Sequence, residues 1–257
     1  MERIRTILKP LYLHGKRALL QTRLCFVPAV DFSAFRRVLV IAPHPDDEVL
    51  GTGGVILRLL KENREMFVWF LTDGEHSLPD LDPVMVARNR VGISARVLES
   101  LGVLEENVFR FGFSDGKLPR AGQKGFDRVA GRLSEMLPDV KPDAVLVTHP
   151  LETWPYDHVA AAELATAALD RAGVAGVCVY GYWVWLPYSL PVKGFGGIDW
   201  KRTVRVPLGG RMVAKKRFME EYLAPLSPNG RPWSGTLPKG MLAMFDYPFE
   251  IMTKMER

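Results

Sequence analysis

The chain has 257 residues, of which 47% are hydrophobic, and a formal net charge of +5. This length and composition allow a buried core and predict one globular α/β domain. No uninterrupted apolar stretch approaches the ~20 residues that a membrane-spanning helix requires. The two cysteines, Cys25 and Cys178, lack the spacing of a metal site and indicate reduced thiols of a cytoplasmic protein.

Residues 1–30 hold the excess of positive charge. They contain six basic residues and one acidic residue, so they account for the whole +5. Aliphatic residues alternate with these charges at loosely helical spacing. Two interpretations remain open: a basic amphipathic arm that contacts anionic lipid, or a helix packed on the body with a solvated basic face. Because the body has no aromatic-basic platform, we predict no nucleic-acid partner.

Shortly after the first predicted strand, 38–41, the five residues 44–48 contain one imidazole and three carboxylates. His44 and Asp47, three residues apart on a turn stiffened by prolines, could bind one metal ion while Asp46 handles a proton. Alternatively, Asp46 and Asp47 cap the next helix, with Glu48 in its first turn. Helix capping explains the carboxylates but neither His44 nor the prolines.

A second polar cluster follows the second predicted strand, 66–71. Asp73 lies at the carboxyl end of this strand, where open α/β sheets place their ligands. The alternative role for Asp73 is a turn residue before Gly74. The next predicted helix, about 83–101, carries Arg88, which either contacts a substrate or lies on a solvated face.

The fourth predicted strand, 144–148, leads through His149 to His158, at the start of an alanine-rich helix. A helix N-terminus disfavours protonated imidazole, and neutral imidazole is the form that binds metal. His44, Asp47 and His158 therefore form a two-histidine, one-carboxylate set with room for water. This set is typical of catalytic zinc, although Fe²⁺ or another divalent ion would suit it.

Strand and helix patterns alternate through most of the chain, which predicts a mostly parallel sheet flanked by helices. Strands are predicted at 38–41, 66–71, 108–111, 144–148 and 177–185, and helices at 49–60, 83–101, 126–137, 158–172 and 212–222. After the fifth strand the pattern weakens, and we assign residues 190–257 to a substrate-side region.

The segment His44-Pro45-Asp46-Asp47-Glu48, followed by Gly51-Thr52-Gly53-Gly54, resembles the signature of the PIG-L/LmbE family of zinc-dependent N-deacetylases. The resemblance extends over about residues 36–222. It implies a single Rossmann-like α/β domain, 31–257, with its site at the C-terminal ends of the strands. It further implies that His44, Asp47 and His158 bind the metal and that Asp46 is the general base.

Four further positions match secondary motifs of the family. The resemblance implies that Asp73 orients a ligand or shapes the pocket, that Arg88 reaches the substrate, and that Asp115 contacts sugar hydroxyls. It also implies that Asp157 holds and polarises the ligand His158.

Two positions depart from the family pattern. Val91 stands where a glutamate usually follows the arginine, and Pro155 stands where a histidine is proposed to steady the oxyanion or donate a proton. The function of that histidine is either missing or supplied by His149, Tyr156 or His76.

The resemblance, together with these residues, implies a hydrolase that removes the N-acetyl group from a GlcNAc-type conjugate and releases acetate, with metal-bound water as nucleophile. The basic arm favours a lipid-linked or cell-envelope glycan precursor, reached from the inner face of the membrane. Two alternatives remain: a metal-dependent hydrolase of another amide or a phosphoester, and a non-catalytic glycan-binding protein. The sequence indicates no particular oligomeric state.

Overall fold

The computed structural model describes the backbone of residues 2–256 and the side chains of residues 11–256. Seven strands form one sheet: β1 (Arg37–Ala42), β2 (Glu65–Thr72), β3 (Val108–Phe113), β4 (Ala144–Thr148), β5 (Cys178–Tyr182), β6 (Thr203–Pro207) and β7 (Phe249–Lys254). The helices are α1 (Glu2–Cys25), α2 (Asp47–Lys61), α3 (Pro83–Leu101), α4 (Phe126–Val140), α5 (Tyr156–Arg171), α6 (Leu186–Ser189), α7 (Arg211–Leu223) and α8 (Lys239–Leu242).

The sheet is mostly parallel, as predicted, in the order β3-β2-β1-β4-β5-β7-β6. Strands β1 to β5 pair in parallel. Strand β7 lies between β5 and β6 and is antiparallel to both. The carboxyl ends of β1 and β4 therefore adjoin, and this brings the loops after both strands to the same edge of the sheet.

Successive residues of β1 face opposite sides of the sheet, as the period of a strand requires. Val38 and Val40 pack in one core with residues of α2, α3 and α7. Leu39 and Ile41 pack in a second core with residues of α4 and α5. The near-continuous apolar run of β1 thus reflects a strand covered by helices on both faces.

Helix α1 packs on the body through a third apolar cluster. Its Leu20 and Leu24 are buried together with Trp183, Ile198 and Ile251. In the part of the chain that the structure describes, no helix is both long enough and apolar enough to cross a bilayer.

Residues 190–257 contribute to the sheet as well as to the substrate side. They supply β6 and β7, and Glu250 of β7 anchors α2 by accepting hydrogen bonds from the backbone N–H groups of Gly54 and Val55, at 2.7 and 2.9 Å. Lys215 of α7 donates to the same carboxylate at 2.7 Å. The fifth predicted strand is shorter than expected, because the chain leaves the sheet after Tyr182.

Candidate metal centre

The turn after β1 places His44, Asp46 and Asp47 at the carboxyl end of the strand. Asp46 has φ 120° and ψ −30°, and its side chain makes no capping hydrogen bond to α2. A positive φ is costly for a residue with a Cβ, and such strain persists where the surrounding structure imposes it. Helix capping therefore does not explain why this position is an aspartate.

His44, Asp47 and His158 converge on one point. Asp47 Oδ2 lies 3.1 Å from His44 Nδ1 and 3.3 Å from His158 Nε2. Asp47 is in the first turn of α2 and His158 is in the first turn of α5, after the neighbouring strands β1 and β4. The ligand atoms of the three residues all lie within 4.8 Å of one another, so they could hold one metal ion.

The buried nitrogen of His158 supports this fit. Among the residues that the structure describes, Nε2 of His158 has no hydrogen bond of good geometry, although it is fully buried and its nearest acceptor, Asp47 Oδ2, is 3.3 Å away. A buried polar atom without a partner is costly, and a divalent cation would accept its lone pair. Two histidines and one carboxylate with an open position form a donor set suited to catalytic zinc.

The electrostatics of the cluster also favour a cation. Burial alone would lower the pKa of His158, but Asp47 and Glu152 raise it to about 9. Burial also opposes protonation of His44, yet the carboxylates of Asp115, Asp157 and Asp47 raise its pKa well above 6.5. The carboxylates thus create a negative potential at the point where the three ligand atoms meet.

Glu152 fixes the orientation of His158 and was not identified from the sequence. Its Oε2 lies 2.6 Å from His158 Nδ1, and its Oε1 accepts hydrogen bonds from the backbone N–H groups of Val184 and Leu186 at 2.6 and 2.8 Å. An ionised carboxylate only accepts hydrogen bonds, so Nδ1 of His158 carries the proton and Nε2 faces the metal position.

Asp157 contacts His44, which corrects the predicted role beside His158. Its Oδ2 lies 3.3 Å from His44 Nε2, and its two oxygens also accept from the N–H groups of Gly116 and Leu118. Adjacent residues on a helix point in different directions, so Asp157 faces the loop after β3 while His158 faces Asp47. Asp115 Oδ1 lies 3.1 Å from the same nitrogen of His44.

Asp46 lies beside the metal ligands but is not one of the three. Its Oδ2 accepts a hydrogen bond from Arg90 Nη2 at 3.2 Å, and its backbone N–H donates to Glu48 at 3.0 Å. Burial raises the pKa of Asp46 to about 6 against the opposing effect of the Arg90 charge. A carboxylate with this pKa is suited to exchange protons near neutral pH.

These groups lie at one end of a cavity of about 420 Å³. The metal ligands, Asp46 and Arg90 line its polar end together with His76 and Asp115. Trp154, Trp185 and Leu237 form an apolar rim, with the two indole rings in edge contact at 4.5 Å between centroids.

Comparison with known proteins agrees with this geometry. The sequence model of PIG-L, described as GlcNAc-PI de-N-acetylase, matches residues 39–169, just over half of the chain. The chain belongs to the PIG-L family. The matched segment contains all three candidate metal ligands, Asp46 and Glu152.

Relatives of this PIG-L protein include two deacetylases of acetylated sugars. A 1D-myo-inositol 2-acetamido-2-deoxy-alpha-D-glucopyranoside deacetylase of Kineococcus radiotolerans is 29% identical over 235 residues, which cover 80% of this chain and 60% of the relative. The diacetylchitobiose deacetylase of Thermococcus kodakarensis is 30% identical over 162 residues, 60% of this chain and 57% of the relative. The chain thus spans about 60% of the length of each of these two relatives.

The fold is that of solved LmbE-like structures. N,N'-diacetylchitobiose deacetylase from Pyrococcus horikoshii superposes with a TM-score of 0.64 over 92% of this chain and 90% of that chain. Its sequence identity of 21% makes this a likeness of fold.

Three predicted positions of this PIG-L protein lie away from the cavity. Arg88 is exposed on α3, and Arg90 is the arginine that is buried beside Asp46. Asp73 is half-buried with its carboxylate 3.9 Å from Arg110, and it does not line the cavity. His149 packs behind the site, where its Nδ1 accepts from the N–H of Leu151 and burial lowers its pKa to about 4.

Of the three residues considered as replacements for the family histidine at Pro155, His76 alone lines the cavity among the residues that the structure describes. Tyr156 donates its hydroxyl to Gln123 at 2.9 Å, and His149 is buried against Trp183. His76 Nδ1 lies 3.0 Å from the backbone carbonyl of Asp115. Because a carbonyl only accepts, Nδ1 of His76 carries the proton.

Proposed function

We propose that this protein is a zinc-dependent N-deacetylase that removes the acetyl group from a GlcNAc-type sugar conjugate and releases acetate. The observation that carries the proposal is a buried His44, Asp47 and His158 cluster with the separate carboxylate Asp46 beside it, in one cavity. The named activities of the Kineococcus and Thermococcus relatives support an N-acetylated sugar as the substrate.

His44, Asp47 and His158 would hold the zinc ion, which when bound polarises an amide carbonyl and lowers the pKa of water. Asp46 accepts a proton from the attacking water and transfers it to the amine nitrogen as the C–N bond breaks. The products are acetate and the free amino sugar. Arg90 orients Asp46 through its contact with Oδ2, and its charge favours the ionised carboxylate against the effect of burial.

We assign to His76 the role that a histidine at position 155 would have. Its position on the cavity wall and the contact of its Nδ1 with Asp115 support this assignment. Because Nδ1 of His76 donates to the carbonyl of Asp115, we assign the contact with the substrate to Nε2. Protonated His76 would donate to the carbonyl oxygen as negative charge develops there.

The apolar rim supports a substrate with an apolar group next to the acetylated sugar. Trp154 remains 58% exposed at the rim, and an exposed indole gains the most when a ligand covers it. A lipid-linked glycan precursor, or another envelope precursor with an apolar aglycone, has this chemistry. Such a substrate would place the enzyme at the cytoplasmic face of a membrane.

A phosphoesterase is supported less well. It would require a second metal ion or several phosphate-binding arginines. The ligand atoms of Glu75, His76 and Asp115 lie within 4.8 Å of one another, but Glu75 and Asp115 already accept hydrogen bonds from backbone N–H groups. In the described part of the cavity wall there is one arginine, Arg90, which is bound to Asp46 and two carbonyls.

The decisive experiment measures zinc content and acetate release from a panel of N-acetylglucosaminides, for the wild type and for Asp46→Asn. We expect about one equivalent of zinc in both proteins and a loss of at least ~100-fold in kcat for Asp46→Asn, since the base is gone while the ligands remain. Asp127→Asn, at an exposed carboxylate on α4, is the matched control and should retain activity.

Two results would count against the proposal. Zinc binding without acetate release from any conjugate in the panel would mean a different substrate class. Wild-type activity in Asp46→Asn would remove Asp46 from the mechanism and favour a different base.

A further inference from the structure

Helix α1 has a second apolar face that points away from the body. Leu11, Leu19 and Phe26 are 64%, 48% and 83% exposed. They are spaced by eight and seven residues, about two helical turns each, so they align along one side of the helix and its end. Leu20 and Leu24 already bury the opposite side against the body.

The sequence of α1 after Glu2 carries charge of one sign. From residue 3 to residue 30 the sequence contains six basic residues and no aspartate or glutamate. Arg23 is exposed, and its guanidinium lies over the ring of Trp200 at 5.4 Å. Arg17 lies over the ring of Tyr247 at 5.7 Å. Arg17 is partly buried by its contact with the body, whereas Arg23 remains exposed.

Helix α1 is fixed to the wall of the cavity. Lys16 donates to the backbone carbonyls of Tyr188 and Leu190 at 2.5 and 3.1 Å. The ring of Tyr188 contacts Trp185, which belongs to the apolar rim. Helix α1 is therefore connected to the cavity wall through Tyr188.

We propose that the outer face of α1, defined by Leu11, Leu19, Phe26 and Arg23, docks on the surface of an anionic lipid bilayer. The apolar side chains would enter the boundary between headgroups and acyl chains, and the basic residues would pair with anionic headgroups. A second copy of this chain fits the face less well, because two faces of the same positive charge repel each other. The docking does not depend on the proposed reaction.

Co-sedimentation of the full chain with vesicles tests this proposal. Vesicles of phosphatidylcholine containing phosphatidylserine should bind the wild type at least ~10-fold more strongly than phosphatidylcholine alone, and salt should weaken the binding. The double variant Leu19→Glu/Phe26→Glu should lose at least ~10-fold in binding, because it removes apolar contacts and adds repelling charge.

Val213→Glu is the matched control, since Val213 is 78% exposed on α7, away from the outer face of α1. It should bind vesicles like the wild type. Acetate release from a water-soluble N-acetylglucosaminide, measured on the same preparations, should be unchanged in the double variant. Failure of docking and failure of the proposed function therefore give different results.

Three outcomes would overturn the docking proposal. The first is that the wild type does not sediment with vesicles that contain phosphatidylserine, and the second is that Val213→Glu loses binding as strongly as the double variant. A dimer of the wild type in solution that Leu19→Glu/Phe26→Glu dissociates would instead assign this face to contact between copies.

Discussion

At the scale of single residues, the site depends on which nitrogen of each histidine is turned towards Asp47. Glu152 holds Nδ1 of His158, so Nε2 is directed to the metal position. His44 is arranged the other way, with Nε2 held by Asp115 and Asp157 and Nδ1 facing Asp47. The outer carboxylates thus set the tautomer of both rings.

Replacing Glu152 with glutamine should weaken zinc binding by about 10- to 100-fold, because an amide neither polarises His158 nor fixes its tautomer as a carboxylate does. Titration of zinc against a competing chelator measures the effect. Glu163→Gln, at a carboxylate of α5 that pairs with Arg120 instead of a histidine, should bind zinc normally. Equal affinity in Glu152→Gln and the wild type would disprove the orienting role.

Replacing His76 with glutamine should lower kcat by about 100-fold with zinc content unchanged, since the loss of one donor to a developing oxyanion costs about this much. The measurement is steady-state acetate release together with metal analysis. His14→Gln, at an exposed histidine of α1, serves as the control. If kcat is unaffected in His76→Gln, another group must stabilise the oxyanion.

The sequence predicted those site residues that lie close together in the chain or begin a helix. His44, Asp46 and Asp47 occur within four residues, so their proximity in space follows from their proximity in sequence. Glu152 lies in a loop without periodicity, and its role depends on backbone amides of residues 184 and 186. Arg88 and Arg90 lie on different sides of α3, and the sequence did not establish which side faces the site.

At the scale of elements, α2 brings Asp47 to the sheet because small residues let it pack closely. A Cβ at Gly51 would lie 2.2 Å from Cδ2 of Tyr182, whose ring is fully buried. The Tyr182 hydroxyl donates to the carbonyl of Ile41 at 3.1 Å, so the ring is fixed at both ends. Gly51, which follows the acidic motif, therefore permits close packing of α2 on the sheet.

Gly51→Ala should lower the free energy of unfolding by about 1–3 kcal/mol, because the added methyl group overpacks a rigid contact. Gly92→Ala on α3 should have the opposite sign and stabilise by up to about 1 kcal/mol, since the nearest atom to its Cβ is 3.6 Å away. Urea denaturation of both variants measures the difference. Effects of the same sign would contradict this account of α2.

At the scale of the whole molecule, the alternation of strands and helices predicted the parallel part of the sheet. The antiparallel insertion of β7 was not predictable, because it pairs residues 249–254 with strands that are distant in sequence. A local sequence pattern shows that a segment has the two-residue period of a strand, but it does not show which strand that segment pairs with. Part of the cavity wall could not be predicted for the same reason, since residues 234–237 line the cavity but are distant in sequence from the metal ligands.

A metal that joins the ends of β1, α2 and α5 should stabilise the folded chain. We expect zinc at about 100 times its dissociation constant to add about 2.7 kcal/mol and raise Tm by roughly 5–10 °C relative to protein treated with a chelator. Thermal unfolding with and without zinc measures the shift, and His158→Gln should abolish it. A shift of the same size in His158→Gln would indicate that zinc binds elsewhere.

The position of β7 between β5 and β6 also bears on the order in which the fold can form during synthesis. Strand β6 is made before β7 but is joined to β5 through it. Until residues 249–254 leave the ribosome, the only backbone pairing of β6 in the described chain is its bridge to Ala29, and Lys215 lacks the counter-charge of Glu250. The nascent chain can pair the five parallel strands β1 to β5 early. Strand β6 can join them only after β7 has been synthesised.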